Sequence, residues 1–312
     1  MQKRHLITGV ATIAFLLVAL LASTAPVSAT YPGVNGRLAF GMFVGGNVEI
    51  FSVLPNGHDL SQLTDIPGFN ACADYSPNGR SIAWCAGTAP GIDEIWAMDA
   101  NGKDQHQVTH IGGFMTFPNY SPDGTRIAFS GNLPGDSKAA IFVIGTDGSG
   151  LIRLTDDSSN STFAVWSPDG ARIAFESDRT GLTQVWVMNS DGTNPLQLTT
   201  DPFPKTQVPD WSPDGTKIAF SSVDATGGPD IFVMDSDGSG ATQLTSHEAV
   251  NFAPRWSPDG TMIAFVTSRD MPPAARVVYV MKADGNDQHA VHPGGRQLAP
   301  SWQPLPLDHE TN

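Results

Sequence analysis

Trp166-Ser167-Pro168-Asp169-Gly170-Ala171-Arg172-Ile173-Ala174-Phe175 is the stretch on which the fold turns. The same unit recurs from Tyr75, Tyr120, Trp211 and Trp256, and a degenerate Trp302-Gln-Pro follows. Successive aromatics are 45 or 46 residues apart, a spacing that marks one supersecondary unit repeated. Within each unit, Ser-Pro-Asp-Gly places Pro second and Gly fourth in a type I turn. An apolar strand follows, Arg172 to Phe175, then a second, Val185 to Met188, an Asp-Gly turn at Asp191-Gly192, and a closing Gln197-Leu-Thr199. Four short antiparallel strands per unit result.

A lone four-stranded unit exposes two apolar faces, so units must stack, and radial stacking closes a ring. The closing motifs are Gln62-Leu-Thr64, Gln107-Val-Thr109, Arg153-Leu-Thr155, Gln197-Leu-Thr199, Gln243-Leu-Thr245 and a divergent Ala290-Val-His292. The expected fold is therefore an all-β, six-bladed β-propeller with four antiparallel strands per blade. Asn35 to Phe40 matches the second strand of the unit, and an unpartnered first strand lies around Leu298 to Trp302. The C-terminal strand is thus expected to complete the first blade and close the ring, which removes a free sheet edge at each end.

Residues 1–29 read as an export signal: Lys3 and Arg4, an apolar run from Leu6 to Ala22, and the small-residue site Val27-Ser28-Ala29. The domain plan is then a signal peptide at 1–29, the propeller at 30–304 and a flexible tail at 305–312. Loss of Lys3 and Arg4 leaves 15 of the 17 Lys and Arg against 31 acids, a charge of −16. Such a surface repels phosphate backbones and excludes nucleic acid as a partner. The expected product is secreted, periplasmic or extracellular, monomeric, and not inserted in a membrane after cleavage. Cys72 and Cys85 flank the turn at Ser76 to Gly79, which places them nearly opposite on adjacent strands. In an oxidising compartment a disulfide stapling that hairpin is expected.

The Trp-Ser-Pro-Asp-Gly-x-x-Ile-Ala-Phe unit resembles the WD40-like repeat of the TolB-like propeller family, over residues 35 to 304. The amino-terminal α/β domain of TolB itself has no counterpart in that span. Propellers of this kind bind at the mouth of the central channel, on the loops entering each blade and those joining its second and third strands. Mapped onto this sequence, those loops carry the ligand-binding candidates His110, Asp156, Asp178, Arg179, His247, Glu248, Arg269 and Asp270. One residue before each repeat aromatic stand Asp74, Asn119, Val165, Asp210, Arg255 and Ser301. The polar members Asp74, Asn119, Asp210 and Arg255 are the channel-lining candidates, facing water or gripping a threaded peptide.

Catalytic motifs are sparse. Most of the Asp residues sit in turns, and the five Glu at 49, 94, 176, 248 and 310 show no acid and base pairing for a glycosidase. There is no Gly-x-Ser-x-Gly elbow, and His247-Glu248 lacks the second His of a zinc-protease helix. Oligogalacturonate lyases use similar repeats with a histidine-held metal, but the histidines here are scattered over different turns. Asp235-Ser-Asp237-Gly-Ser239 has alternating oxygens like a calcium loop, without an acid at the twelfth position, so a hairpin turn is the expectation and no cofactor is called for. The reading is a protein- or peptide-binding scaffold, with carbohydrate as a further ligand class. The alternative is a carbohydrate-active hydrolase or lyase whose site is assembled from loops.

Overall fold

The computed structural model describes residues 33–200, 208–223, 228–246, 249–269, 276–292 and 294–306. The segment 1–29, expected to be a signal peptide, and most of the expected tail lie outside them. The strands run β1 (Val34–Val44), β2 (Asn47–Val53), β3 (Ser61–Gln62), β4 (Asn70–Tyr75), β5 (Ser81–Ala89), β6 (Ile92–Asp99), β7 (His106–Gln107) and β8 (Phe114–Tyr120). They continue with β9 (Arg126–Asn132), β10 (Ala140–Gly145), β11 (Ile152–Arg153), β12 (Ser161–Trp166), β13 (Arg172–Ser177), β14 (Gln184–Asn189), β15 (Leu196–Gln197) and β16 (Asp210–Trp211). The last are β17 (Lys217–Val223), β18 (Pro229–Asp235), β19 (Thr242–Gln243), β20 (Asn251–Trp256), β21 (Met262–Thr267), β22 (Val277–Lys282), β23 (His289–Ala290) and β24 (Gln297–Leu305).

These strands form an all-β propeller of antiparallel quartets. Four quartets stand as separate sheets: β24-β1-β2-β3, β12 to β15, β16 to β19, and β20 to β23. Where separate sheets are expected throughout, β4 to β11 instead join into one eight-stranded sheet. The junction is one parallel pair, Asp93 opposite Phe114, with the Asp93 N–H donating to Gly113 O at 3.0 Å. Short loops bring the end of β6 against the start of β8. At the other end of the chain β24 pairs antiparallel with β1, with Trp302 opposite Leu38 and Leu305 opposite Val34.

The sequence motifs account for the local structure. In each Ser-Pro-Asp-Gly turn the Ser hydroxyl donates to the Asp carboxylate, as from Ser167 Oγ to Asp169 Oδ1 at 2.6 Å, and accepts the N–H five residues on. Such side-chain to backbone bonds occupy groups that a tight turn would leave unpaired. The closing motif proves to be a two-residue strand followed by an anchor. Thr64, Thr109, Thr155, Thr199 and Thr245 each accept through Oγ1 the N–H of the residue fourteen positions earlier, at 2.8 to 2.9 Å. The divergent sixth motif lacks that Thr, and Gln297 Oε1 of β24 accepts the Val278 N–H at 2.7 Å in its place.

The repeat aromatics are core. Tyr75, Tyr120, Trp166, Trp211 and Trp302 are buried, and Trp166 packs on Ala128, Ile141 and Val143 of the preceding quartet. Arg126 lies 4.6 Å from the Trp166 ring and Arg172 lies 4.7 Å from the Trp211 ring, adding cation–π attraction to apolar burial.

Candidate binding site

The first strand of each quartet carries one recurrent irregularity. Three residues before each repeat aromatic stands a non-glycine residue with positive φ: Cys72 at 59°, Phe117 at 52°, Phe163 at 55°, Val208 at 39°, Ala253 at 54° and Ala299 at 30°. Left-handed backbone is unfavourable for side chains of this kind, most of all for a β-branched Val. The register skips at these places, between Ala71 and Asp74, Thr116 and Asn119, Thr162 and Val165, and Phe252 and Arg255. These are β-bulges, which bend the strand and re-aim side chains. The neighbouring quartet holds them in place: the Phe163 N–H donates to Ser130 Oγ at 2.9 Å and the Ala253 N–H to Ser221 Oγ at 3.2 Å.

All six positive-φ residues line one cavity of about 580 Å³. Because every first strand contributes, the cavity lies on the axis about which the quartets are arranged. Its wall is aromatic, with Phe69, Phe114, Phe117, Phe163 and Phe252, and the Phe117 and Phe163 rings approach to 4.0 Å between centroids. Phe69 is 41% and Phe114 48% exposed, which places them at the rim. Concave, largely apolar lining with few polar groups is the general form of a ligand site. Sequence reasoning missed this wall. Its signal was aromatic residues six, four or three positions before the repeat aromatics, in loops and bulges where no core strand is expected.

The channel-lining candidates come together behind this chamber. Asp74, Asn119, Val165, Asp210, Arg255 and Ser301 ring a much smaller space of about 50 Å³. All but Arg255 are buried, so the neck admits water and not a polypeptide. Their polar atoms latch one quartet to the next. Asp74 Oδ2 accepts the Tyr120 N–H at 2.9 Å, Asn119 Oδ1 the Trp166 N–H at 3.0 Å, Asp210 Oδ2 the Trp256 N–H at 2.7 Å, and Ser301 Oγ the Tyr75 N–H at 3.1 Å. Arg255 departs from the pattern, with Nη1 3.6 Å from Asp210 Oδ1 and 3.4 Å from Pro209 O. Burial pushes the Asp74 carboxyl up to about 6, against the Tyr120 N–H and the Arg255 charge. Burial likewise pushes Asp210 up to about 7, against Arg255 and the Trp256 N–H, with the Asp74 charge adding to the rise. A threaded peptide has no passage here.

Of the described loop candidates, Asp156 and Arg179 lie within electrostatic reach of each other. His110 and Asp156 are exposed, and Asp156 accepts the Ser158 N–H at 3.1 Å and hydroxyl at 2.6 Å as a turn former. Asp178 accepts the Asn160 N–H at 2.8 Å and side-chain amide at 2.7 Å. Arg179 stacks over Phe175 and Trp186, at 5.1 and 4.8 Å, and Arg269 over Phe265 and Tyr279, at 5.7 and 5.1 Å. Each arginine stands four residues after the phenylalanine it covers, a shared position that makes them lids on the outer core. His247, Glu248 and Asp270 lie outside the described residues.

Other candidate groups are already occupied. Glu94 Oε1 accepts the Ile111 and Gly112 N–H groups at 2.7 Å each, and Thr109 donates to Oε2. Glu49 takes Thr64 and Asn70, while Asp230 takes Thr245, Gln243 and Asn251. These buried carboxylates tie the third strands β2, β6 and β18 to the loop entering the next quartet. In the calcium-like segment, Asp235 pairs with Lys217 at 2.9 Å and Asp237 caps Ser239. Among the described residues no three His, Cys, Asp or Glu stand together as metal ligands.

The expected disulfide is a point of difference, since Cys72 and Cys85 are both free thiols. In the bulged register Ala71, not Cys72, stands opposite Cys85, and Cys72 lines the chamber while its side chain touches Cys85 without a bond between the sulfurs. Cys85 Sγ lies 3.2 Å from Ala71 O and accepts the Phe117 N–H, the role Ser130 and Ser221 play elsewhere. The contact with Cys72, with burial, holds the Cys85 thiol well above its ordinary pKa and therefore protonated.

Comparison with solved structures places the fold among TolB propellers. TolB from Acinetobacter baumannii superposes with a TM-score of 0.73 at 21% identity, over 86% of this chain and 67% of that one. The putative TolB from Agrobacterium tumefaciens gives 0.66 at 22%, over 87% and 99%. An oligogalacturonate lyase in complex with manganese gives 0.57 at 17%, over 82% and 74%. No curated protein sequence matches. The family model described as the TolB beta propeller domain matches residues 105–203 and 202–306, more than half of the sequence, and the chain belongs to that family.

Proposed function

We propose that this chain is an exported protein-binding scaffold that holds a partner at the mouth of its central channel. The observation that carries the reading is the aromatic chamber of about 580 Å³ on the propeller axis, lined among the described residues by no carboxylate or histidine. An apolar concavity with exposed phenylalanines at its rim is what a protein interface needs for a desolvated anchor. A hydrolase or lyase instead needs titratable groups around the reacting bond. The propeller is read as six blades, with the eight-stranded sheet counted as two blades joined at one bridge. In this reading β24 completes the first blade, and the segment 1–29 directs export.

The test is affinity capture from envelope and culture extracts with the purified protein, beside Phe69→Ser and Phe114→Ser variants. Both positions are exposed, so the variants are expected to melt as the parent does. A partner held by the parent and lost by both variants supports the reading. Equal capture by parent and variants sinks it.

A further inference from the structure

The chamber has a charge opposite to that of the chain. The protein has 31 acidic residues against 17 Lys and Arg, yet among the described residues the charged side chains lining the chamber are Arg255 and Arg276. Arg255 is committed to Asp210 at the neck. Arg276 is half-buried, with its guanidinium 4.7 Å from the Phe252 ring. Arg296 lies close enough to repel it and is itself stacked on Phe43 at 4.6 Å. Among the described residues no carboxylate lies within ion-pair distance of Arg276 or Arg296. A half-buried guanidinium on an aromatic ring, with the exposed Arg296 beside it and no carboxylate partner among the described residues, forms a receptor for a planar anion.

The neck sets the second constraint. A chain entering the chamber cannot continue, because the ring at Asp74, Asn119, Val165, Asp210 and Ser301 is buried and encloses only about 50 Å³. The chamber has the volume of a drug-sized ligand. It offers apolar walls and little to pair with the backbone of a doubled-back loop, whose unmet polar groups would each cost free energy. A chain end brings one backbone strand and its own carboxylate.

We propose that the chamber receives the C-terminus of a partner polypeptide, its last residues apolar against Phe117, Phe163 and Phe252 and its α-carboxylate on Arg276 beside Arg296. This rests on the reading of the chamber as a protein-binding site and names the part of the partner that enters. Carboxylate capture at a chain terminus is a recurring recognition mode, and a guanidinium fork matches it with two parallel hydrogen bonds.

The experiment measures retention on the immobilised protein of an equimolar hexapeptide mixture whose last two positions are drawn from Leu, Ile and Phe. The mixture is supplied as free acids and as C-terminal amides, with decanoate as a free competing carboxylate. Free acids are expected to bind about tenfold more tightly than amides, the worth of a charged hydrogen bond. Arg276→Gln is expected to erase that difference while leaving the amides unchanged, and Arg296→Gln to reduce it. Equal binding of acids and amides overturns the proposal, as does failure to bind either. Decanoate displacing the acids at equal concentration also overturns it, by making the ligand a small amphiphile. None of these results touches capture from extracts through Phe69 and Phe114, so the broader reading fails only if that capture is unchanged in the rim variants.

Discussion

Replacing Asp74 with Asn tests the latch between quartets and the charge buried in it. Three donors converge on this carboxylate: the Tyr120 N–H at 2.9 Å, Asn119 Nδ2 at 3.2 Å and Ser301 Oγ at 3.3 Å. Burial nevertheless dominates and raises the pKa from 3.8 to about 6. At about 1.36 kcal/mol per pH unit of displacement, the charged form costs the folded state about 3 kcal/mol above pH 7. The sign follows from linkage. The folded pKa lies above the unfolded one, so the contribution to stability is fully present below pH 3.8 and is lost as the pH rises through about 6. Asparagine does not titrate, and Asn119 shows that an amide oxygen serves at this position, accepting the Trp166 N–H at 3.0 Å. Against the gain stands a weaker acceptor, a pH-independent loss of about 1 kcal/mol. The variant should therefore exceed the parent by about 2 kcal/mol at pH 8, and fall slightly below it near pH 4. Removing the Asp74 charge also eases ionisation of Asp210, whose pKa that charge helps to raise. The assay is urea unfolding of both proteins from pH 4 to pH 8, taken as a difference so that the turn carboxylates cancel. Parallel stability curves across that range, or a variant weaker at every pH, would refute the reasoning.

Cys85→Ser should be nearly neutral in thermal melts because Ser130 and Ser221 fill the same role, whereas Cys85→Ala should cost about 1 to 3 kcal/mol by leaving the Phe117 N–H unpaired. A reductant should leave the parent's melting temperature unchanged, and a shift of several degrees would contradict the free thiols. Thr109→Val removes the acceptor of the Ile95 N–H and a donor to buried Glu94, and should cost about 2 to 4 kcal/mol in unfolding experiments. Loss below half a kcal/mol, about that of an exposed-site change, would show that the anchor is dispensable. Arg179→Ala should lower stability by about 1 kcal/mol through lost ring contacts while leaving partner capture intact, and lost capture at unchanged stability would return Arg179 to the binding face.

The sequence by itself determined the repeat, the hairpins and the order of strands. Trp-Ser-Pro-Asp-Gly and the Asp-Gly dipeptides write their turn geometry in side-chain chemistry, and alternation along Arg172 to Phe175 follows from burying one face of a strand. It also placed Asp74, Asn119, Asp210 and Arg255 on the axis, because the 45- or 46-residue spacing carries a position from one quartet to the next. Only the tertiary structure decided what those residues do. Whether a polar side chain faces water or the N–H of the neighbouring quartet depends on how closely two quartets pack, and here they pack closely enough to bury all of the ring but Arg255. The bulges were invisible for a different reason. Cys72, Phe117, Phe163, Val208, Ala253 and Ala299 share a backbone angle and an apolar side chain, but an apolar residue in a strand does not by itself announce left-handed backbone. Those bulges set Ala71 rather than Cys72 opposite Cys85, and aimed Phe117 and Phe163 at the axis. The chamber exists because the first strands of the quartets converge, and convergence is a property of the packed quartets rather than of any one repeat.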